Sequence, residues 1–182
     1  MPHLDTPGGT VWLTGLSGAG KTTIARATHD LLLEKGLRSY RLDGDDLREG
    51  LNADLGFEEQ DRIENVRRLG EVAALLARFG HLSIVSAISP YAAGRKAVRD
   101  RHQSLGMKFL EVYVATPIEV CEARDPKGLY ARARRGELAS FTGTSAPYEA
   151  PESPDLVLTT TGSPEQAAFE VYSAAMITNL LG

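Results

Sequence analysis

One run of eight residues, Gly15-Leu16-Ser17-Gly18-Ala19-Gly20-Lys21-Thr22, constrains this chain more than any other feature. It fits the spacing G-x-x-x-x-G-K-[ST] of a phosphate-binding loop. Its surroundings fit as well. Residues 10–14 (Thr10, Val11, Trp12, Leu13, Thr14) read as a short buried strand, and residues 23–33 as a helix. Glycines let such a loop curl so that backbone N–H groups point inward at a phosphate, and the helix N-terminus adds positive potential there. In that frame Lys21 reaches the β- and γ-phosphates, and the Thr22 hydroxyl is placed to ligate Mg²⁺. A glycine-rich turn with a chance lysine would not require strand, loop and helix in this order.

The rest of the chain continues the alternation. Apolar or β-rich runs at residues 11–14, 39–42, 82–87, 109–115 and 156–160 are separated by helical patterns. Ile63, Val66, Leu69, Ala73 and Leu76 recur at spacings of three and four, which predicts an amphipathic helix over residues 61–79. The last helix starts at Ser163 as N-cap, with Pro164 in its first position and Gln166 three residues past the cap, and is expected to run to about Leu181. This pattern predicts an α/β fold: a five-stranded, mostly parallel sheet with helices on both faces and residues 10–14 at its centre. At 182 residues, without a repeat or a domain-splitting linker, the chain reads as one domain with a tail at residues 1–9. Residues 125–154, rich in Gly, Pro, Ser and Thr, are the least regular part and read as a lid and substrate loop.

Composition excludes several classes. No apolar stretch approaches a membrane span, the first nine residues do not resemble a secretion signal, and a single cysteine, Cys121, allows no internal disulfide. These features point to the cytoplasm. A net charge of −4 argues against a general nucleic-acid binder.

Two further clusters could carry chemistry. Asp43, Asp45 and Asp46 follow the second strand, at the sheet end where open α/β folds bind ligands. A carboxylate there could accept a proton from an attacking hydroxyl or help place Mg²⁺, although acidic turns after strands are also common without function. The third strand ends without an acidic residue, which gives Asp43 and Asp45 more weight. Between residues 124 and 135, Arg124, Lys127, Arg132, Arg134 and Arg135 stand against the one acidic residue Asp125. Such a run is either a solvated helix face or a lid that closes over phosphates and stabilises transferred charge.

Over residues 10–158 the chain resembles the adenylyl-sulfate kinases. The likeness rests on the phosphate loop through Thr23, on Leu42-Asp43-Gly44-Asp45, on Gly50-Leu51-Asn52-Ala53-Asp54-Leu55-Gly56-Phe57 and on Asp61-Arg62-Ile63-Glu64-Asn65-Val66-Arg67-Arg68. It continues in Ile88-Ser89-Pro90-Tyr91, in Cys121-Glu122-Ala123-Arg124-Asp125-Pro126-Lys127-Gly128-Leu129-Tyr130, in Phe141-Thr142-Gly143 and in Pro147-Tyr148-Glu149-Ala150-Pro151. The resemblance implies a P-loop kinase that phosphorylates the 3′-hydroxyl of adenosine 5′-phosphosulfate with MgATP, and that binds neither nucleic acid nor membrane. By the same resemblance Gly15, Ser17, Gly18, Ala19, Gly20, Lys21, Thr22, Thr23 and Arg124 bind ATP, Thr22 and Asp45 hold the metal, and Asp45 and Lys21 are catalytic. Asp43, Asp45, Arg48, Phe57, Arg62, Asn65, Ile88, Ser89, Lys127, Phe141 and Thr142 bind the acceptor, with Phe57 and Phe141 sandwiching its adenine. Arg62 and Asn65, three apart on one helix, share a face. The family is often dimeric, and no residue pattern here marks an interface.

The chain departs from the family pattern at Asp46 (usually Asn), Ala87 (Phe), Ala92 (Arg), Ala139-Ser140 (Lys-Gly) and Thr144-Ser145-Ala146 (Ile-Asp-Asp). Two lost cations and one added carboxylate leave open a kinase of another small nucleotide or metabolite. A nucleotide-binding module without turnover is opposed by the presence of Lys21, Thr22 and Asp45. No asparagine is followed by lysine, which opposes a guanine-specific switch.

Overall fold

A computed structural model describes residues 8–138, 140–159 and 162–181. Five strands form one sheet: β1 (Gly9–Thr14), β2 (Ser39–Asp43), β3 (Leu82–Ser86), β4 (Lys108–Val114) and β5 (Leu156–Leu158). Their spatial order is β2-β3-β1-β4-β5, and all four pairings are parallel. β1 is therefore the central strand, as the sequence predicts, and it is buried along its whole length. The strand expected over residues 156–160 is shorter; Thr160 lies outside the described residues.

Helices cover both faces. On β1, Val11 and Leu13 point to α1 (Lys21–Glu34) and α7 (Pro164–Ile177), while Trp12 points to α3 (Glu59–Arg78) and α4 (Ala92–Ser104). This is the period of two that a doubly covered strand requires. Gly70 lets α3 and α4 approach closely, since a Cβ there would stand 2.7 Å from Val98 Cγ2. α7 opens as expected, with a reciprocal cap: Ser163 Oγ accepts from Gln166 N, and Ser163 N donates to Gln166 Oε1. It ends at Ile177 rather than near Leu181, because Asn179 turns left-handed (φ 51°) and sends Leu180 into the core.

α3 corrects the expected stripe. Val66, Leu69 and Ala73 are buried, but Ile63 is exposed, and Arg62 and Asn65 take the inward positions of the first turns. That end of the helix overhangs the strand ends, where the inner surface is a cleft and not the apolar core. The segment 125–154 is also more regular than expected. After α5 (Ile118–Arg124), α6 (Leu129–Arg134) forms because the Asp125 carboxylate accepts the N–H groups of Tyr130 and Ala131. The remaining short helix, α2 (Gly44–Leu47), follows β2 directly. No helix among the described residues is long and apolar enough to cross a membrane.

Leu69 is fully buried and Leu75 is 53% exposed on the same helix. Leu69→Ala is expected to lower unfolding free energy by about 2–5 kcal/mol in urea titrations. Leu75→Ala is expected to change it by no more than about 0.5 kcal/mol. Equal effects would show that α3 does not pack on the sheet through this face.

Candidate active site

The carboxyl ends of the parallel strands open onto one cleft of about 1900 Å³. The loop after β1 forms one wall. Gly15 holds φ 148°, and a Cβ there would lie 2.6 Å from the Val114 carbonyl oxygen, so only glycine fits. Ser17, Gly18, Ala19, Gly20, Lys21, Thr22 and Thr23 line the cleft, whereas Gly15 lies behind them. Lys21 Nζ donates to the carbonyls of Gly15 (2.9 Å) and Leu16 (2.7 Å). Thr116 Oγ1 donates to Ala19 O, and Tyr130 of α6 donates to Ser17 O, which ties the loop to β4 and to the segment beyond it.

The acidic turn divides into two environments. Asp43, at the end of β2, is buried. Its Oδ2 accepts the hydroxyls of Thr22 and Ser86 at 2.8 Å each, and its Oδ1 accepts Asp45 N at 3.0 Å. Burial pushes its pKa up, but these donors outweigh burial and hold it below the usual carboxylate range. Ser86 is the register partner of Asp43 on β3. The acidic group missing from the end of β3 is thus supplied by the adjacent strand. Asp45 is exposed, lines the cleft and pairs with Lys127 from the turn between α5 and α6. Asp46, in the first turn of α2, also lines the cleft.

Opposite the loop, Arg48, Phe57, Arg62, Asn65, Ile88, Ser89 and Phe141 line the same cleft. Arg62 joins two distant segments: Nε donates to Phe57 O and Nη2 to Ser140 O, both at 2.7 Å. The Arg48 guanidinium lies 4.5 Å from the centre of the Phe57 ring and donates to the Leu55 and Gly56 carbonyls. Phe57 stands on the rim, whereas Phe141 is buried edge-on against Tyr130. Arg124, at the end of α5, and Lys127, in the turn that follows it, also line the cleft. Thr142 does not reach it: the residue is fully buried, and its Oγ1 has no hydrogen-bond partner among the described residues. Ala87 lines the cleft, Ala92 opens α4 with its N–H donating to Glu149 Oε2, and Ala139 lies outside the described residues.

Two groups escaped the sequence reading. Asn52 is fully buried and donates from Nδ2 to Asn65 Oδ1, so it restricts the amide that faces the cleft. The start of α7, including Ser163, Gln166 and Phe169, lines the phosphate-loop end of the cleft. Its position after the fifth strand could have signalled this, because ligands in such sheets lie beyond the carboxyl strand ends.

A family model described as adenylylsulphate kinase matches residues 7–159. The adenylyl-sulfate kinase of Saccharomyces bayanus is 59% identical over 153 residues, covering 84% of this chain and 76% of that protein. The adenylyl-sulfate kinase of Paraburkholderia xenovorans is 52% identical and covers 94% of each chain. The solved Mycobacterium tuberculosis APS kinase CysC, in complex with AMPPNP and APS, superposes with a TM-score of 0.92 at 53% identity, covering 94% of this chain and 99% of that one. The chain belongs to the adenylylsulphate kinase family.

In this family member the site lysine carries a stability cost. Burial pushes the Lys21 pKa from 10.5 down to about 8, opposed in part by Asp45 and Asp43. Between those values the unfolded chain keeps a proton that the folded chain has lost, so this contribution to stability rises with pH. Below about 8 the folded state carries the full cost, about 3 kcal/mol. Lys21→Met is therefore expected to be more stable than the parent by about 1–3 kcal/mol at pH 7, with the advantage shrinking towards pH 10. Urea unfolding of both proteins across that range checks it, and a pH-independent difference would contradict it.

Proposed function

We propose that the chain transfers the γ-phosphoryl group of MgATP to the 3′-hydroxyl of adenosine 5′-phosphosulfate, giving 3′-phosphoadenosine 5′-phosphosulfate. One observation carries the reading. A phosphate loop and an arginine–asparagine–aromatic cluster face each other across Asp43 and Asp45 in a single cleft, in a chain of the adenylylsulphate kinase family.

In this reading the loop N–H groups and Lys21 hold the ATP phosphates, and Arg124 reaches the same nucleotide from the lid. The donors beside the loop suit Mg²⁺, which favours hard oxygen ligands and one or two carboxylates beside substrate phosphates. The Thr22 hydroxyl and the Asp43 carboxylate are in contact, so Asp43 joins Thr22 and Asp45 as a residue that would hold the ion or its waters. When bound, Mg²⁺ neutralises charge on the phosphoryl oxygens. Asp45 takes the acceptor side. Its carboxylate orients the 3′-hydroxyl and accepts its proton as the new oxygen–phosphorus bond forms and the bond from the γ-phosphorus to the bridging oxygen breaks, releasing ADP, while Lys127, its partner in the structure, turns to the transferred phosphoryl group. Arg48, Arg62 and Asn65 bind the phosphosulfate through side-chain N–H donors, those of the two arginines charge-assisted. The rings of Phe57 and Phe141 take the acceptor adenine, with Arg62 holding the backbone of both segments at one spacing. α5 and α6 form the lid that excludes water.

A coupled ADP-release assay with adenosine 5′-phosphosulfate, adenosine 5′-monophosphate and no acceptor tests the reading. Release dependent on the phosphosulfate supports it. Release that prefers another acceptor would instead favour a changed substrate, to which Asp46 and Ala87 in the cleft wall would contribute. Asp45→Asn is expected to lower kcat by roughly 10²–10⁴-fold with ATP affinity retained. Phe57→Ala is expected to raise the acceptor KM by roughly 1–3 kcal/mol, about 5- to 150-fold, with the ATP KM changing far less. Equal weakening of both substrates would place the ring in the wrong subsite.

A further inference from the structure

Behind the acceptor wall lies an arginine that the cleft never meets. Arg95 of α4 is 3% exposed and is not part of the cleft lining. Its guanidinium is distributed over three separate parts of the fold. Nε donates to Glu111 Oε1 on β4 (2.8 Å), Nη1 to Ser89 O (2.7 Å) and Nη2 to Glu149 O (2.7 Å). Glu111 also takes Arg99, which pairs in turn with Asp155, so the anionic side of the cluster is fully engaged.

Ser89 is the unusual member. It is not glycine, yet it holds φ 42°, in the left-handed region that L-residues rarely adopt. Such a residue persists only where its surroundings over-determine it. A directed set of hydrogen bonds does so. Trp12 Nε1 donates to Ser89 Oγ, Ser89 Oγ donates to Thr14 Oγ1, and Thr14 Oγ1 donates to Ile88 O at 2.7 Å. Tyr148 OH completes the set at Thr14 Oγ1. These donors are neutral, and among the described residues Arg95 is the charged donor to the segment, which makes its bond to Ser89 O charge-assisted. The same guanidinium also fixes the chain around Glu149, whose N–H donates to Pro90 O.

We propose that Arg95 is a positioning residue for the acceptor: by holding the Ser89 and Glu149 carbonyls on one buried guanidinium, it fixes the Ile88–Ser89 backbone where that segment lines the cleft. The proposal rests on the reading above, in which those two residues touch the acceptor. A lysine cannot replace the arginine here, because a single ammonium cannot span three acceptors held by different elements in the plane of a guanidinium.

The test uses Arg95→Lys, Arg95→Ala and the parent protein, with two readouts. In steady-state kinetics Arg95→Lys is expected to raise the acceptor KM about tenfold while the ATP KM stays within about twofold. Millimolar guanidinium is expected to restore the acceptor KM of Arg95→Ala. A merely structural arginine would lower thermal stability and leave the ratio of the two KM values unchanged, which would overturn the proposal. The second readout needs no turnover. Trp12 is the only tryptophan in the chain and donates to Ser89, so its indole ¹⁵N–¹H resonance reports the placement of the segment. That resonance is expected to shift in Arg95→Lys, and an unchanged resonance would also overturn the proposal. If the parent protein releases no ADP with adenosine 5′-phosphosulfate, the functional reading fails by itself, and the indole resonance still decides whether Arg95 holds Ser89. Should Arg95→Ala not fold, Arg95→Lys carries both measurements.

Discussion

The Asp43 carboxylate is the point from which the site is built. It ends β2, receives the Thr22 hydroxyl from the start of α1, receives the Ser86 hydroxyl from the end of β3 and caps the first turn of α2 through Asp45 N. One buried anion therefore fixes the phosphate loop, two adjacent strand ends and the acidic turn relative to one another. Burying a carboxylate is costly unless its lone pairs are occupied. Here three donors occupy them, which is why the group stays ionised at the base of a cleft. A neutral residue could pack in the same space, but it could not gather three donors from three segments.

The two sides of the cleft are held by different physics. The strand ends around Asp43 and Ser89 rest on buried, charge-assisted bonds: Asp43 with its hydroxyls, and Arg95 with Glu111 and two carbonyls. Such groups are strongly destabilising to disconnect, so this part has one arrangement. The segment from α5 through α6 is anchored by buried Tyr130, which donates to Ser17 O, while its basic side chains are held by exposed pairs. Lys127 meets Asp45, Arg134 meets Glu122, and Arg132 and Arg135 share Glu137. Exposed pairs contribute about 0–1 kcal/mol each and are screened by salt. The basic side chains between α5 and the loop that follows α6 thus concentrate positive charge in pairs that rearrange at little cost.

The buried lysine fits the same division. Lys21 lies in the floor with its ammonium on two loop carbonyls, and its depressed pKa measures how poorly that place solvates a cation.

Much of this was legible in the residues. The order of strand, glycine loop and helix set the phosphate site. Alternating short apolar runs set a parallel sheet with two covered faces. Ser163, Pro164 and Gln166 set the start of the last helix. These are local signals, carried by spacings of two, three and four residues and by turn chemistry, and the structure reproduces them within a few residues at each end. What the sequence could not decide is which distant groups meet. The Thr22–Asp43 contact spans 21 positions, Trp12–Ser89 spans 77, Arg62–Ser140 spans 78 and Lys127–Asp45 spans 82. The inward turn of Arg62 and Asn65 on α3, the burial of Thr142 and the three acceptors of Arg95 belong to the same class. An arginine reads alike in sequence whether it is solvated, paired or buried. Its role is settled only when folding removes water from around it and leaves particular oxygens within reach.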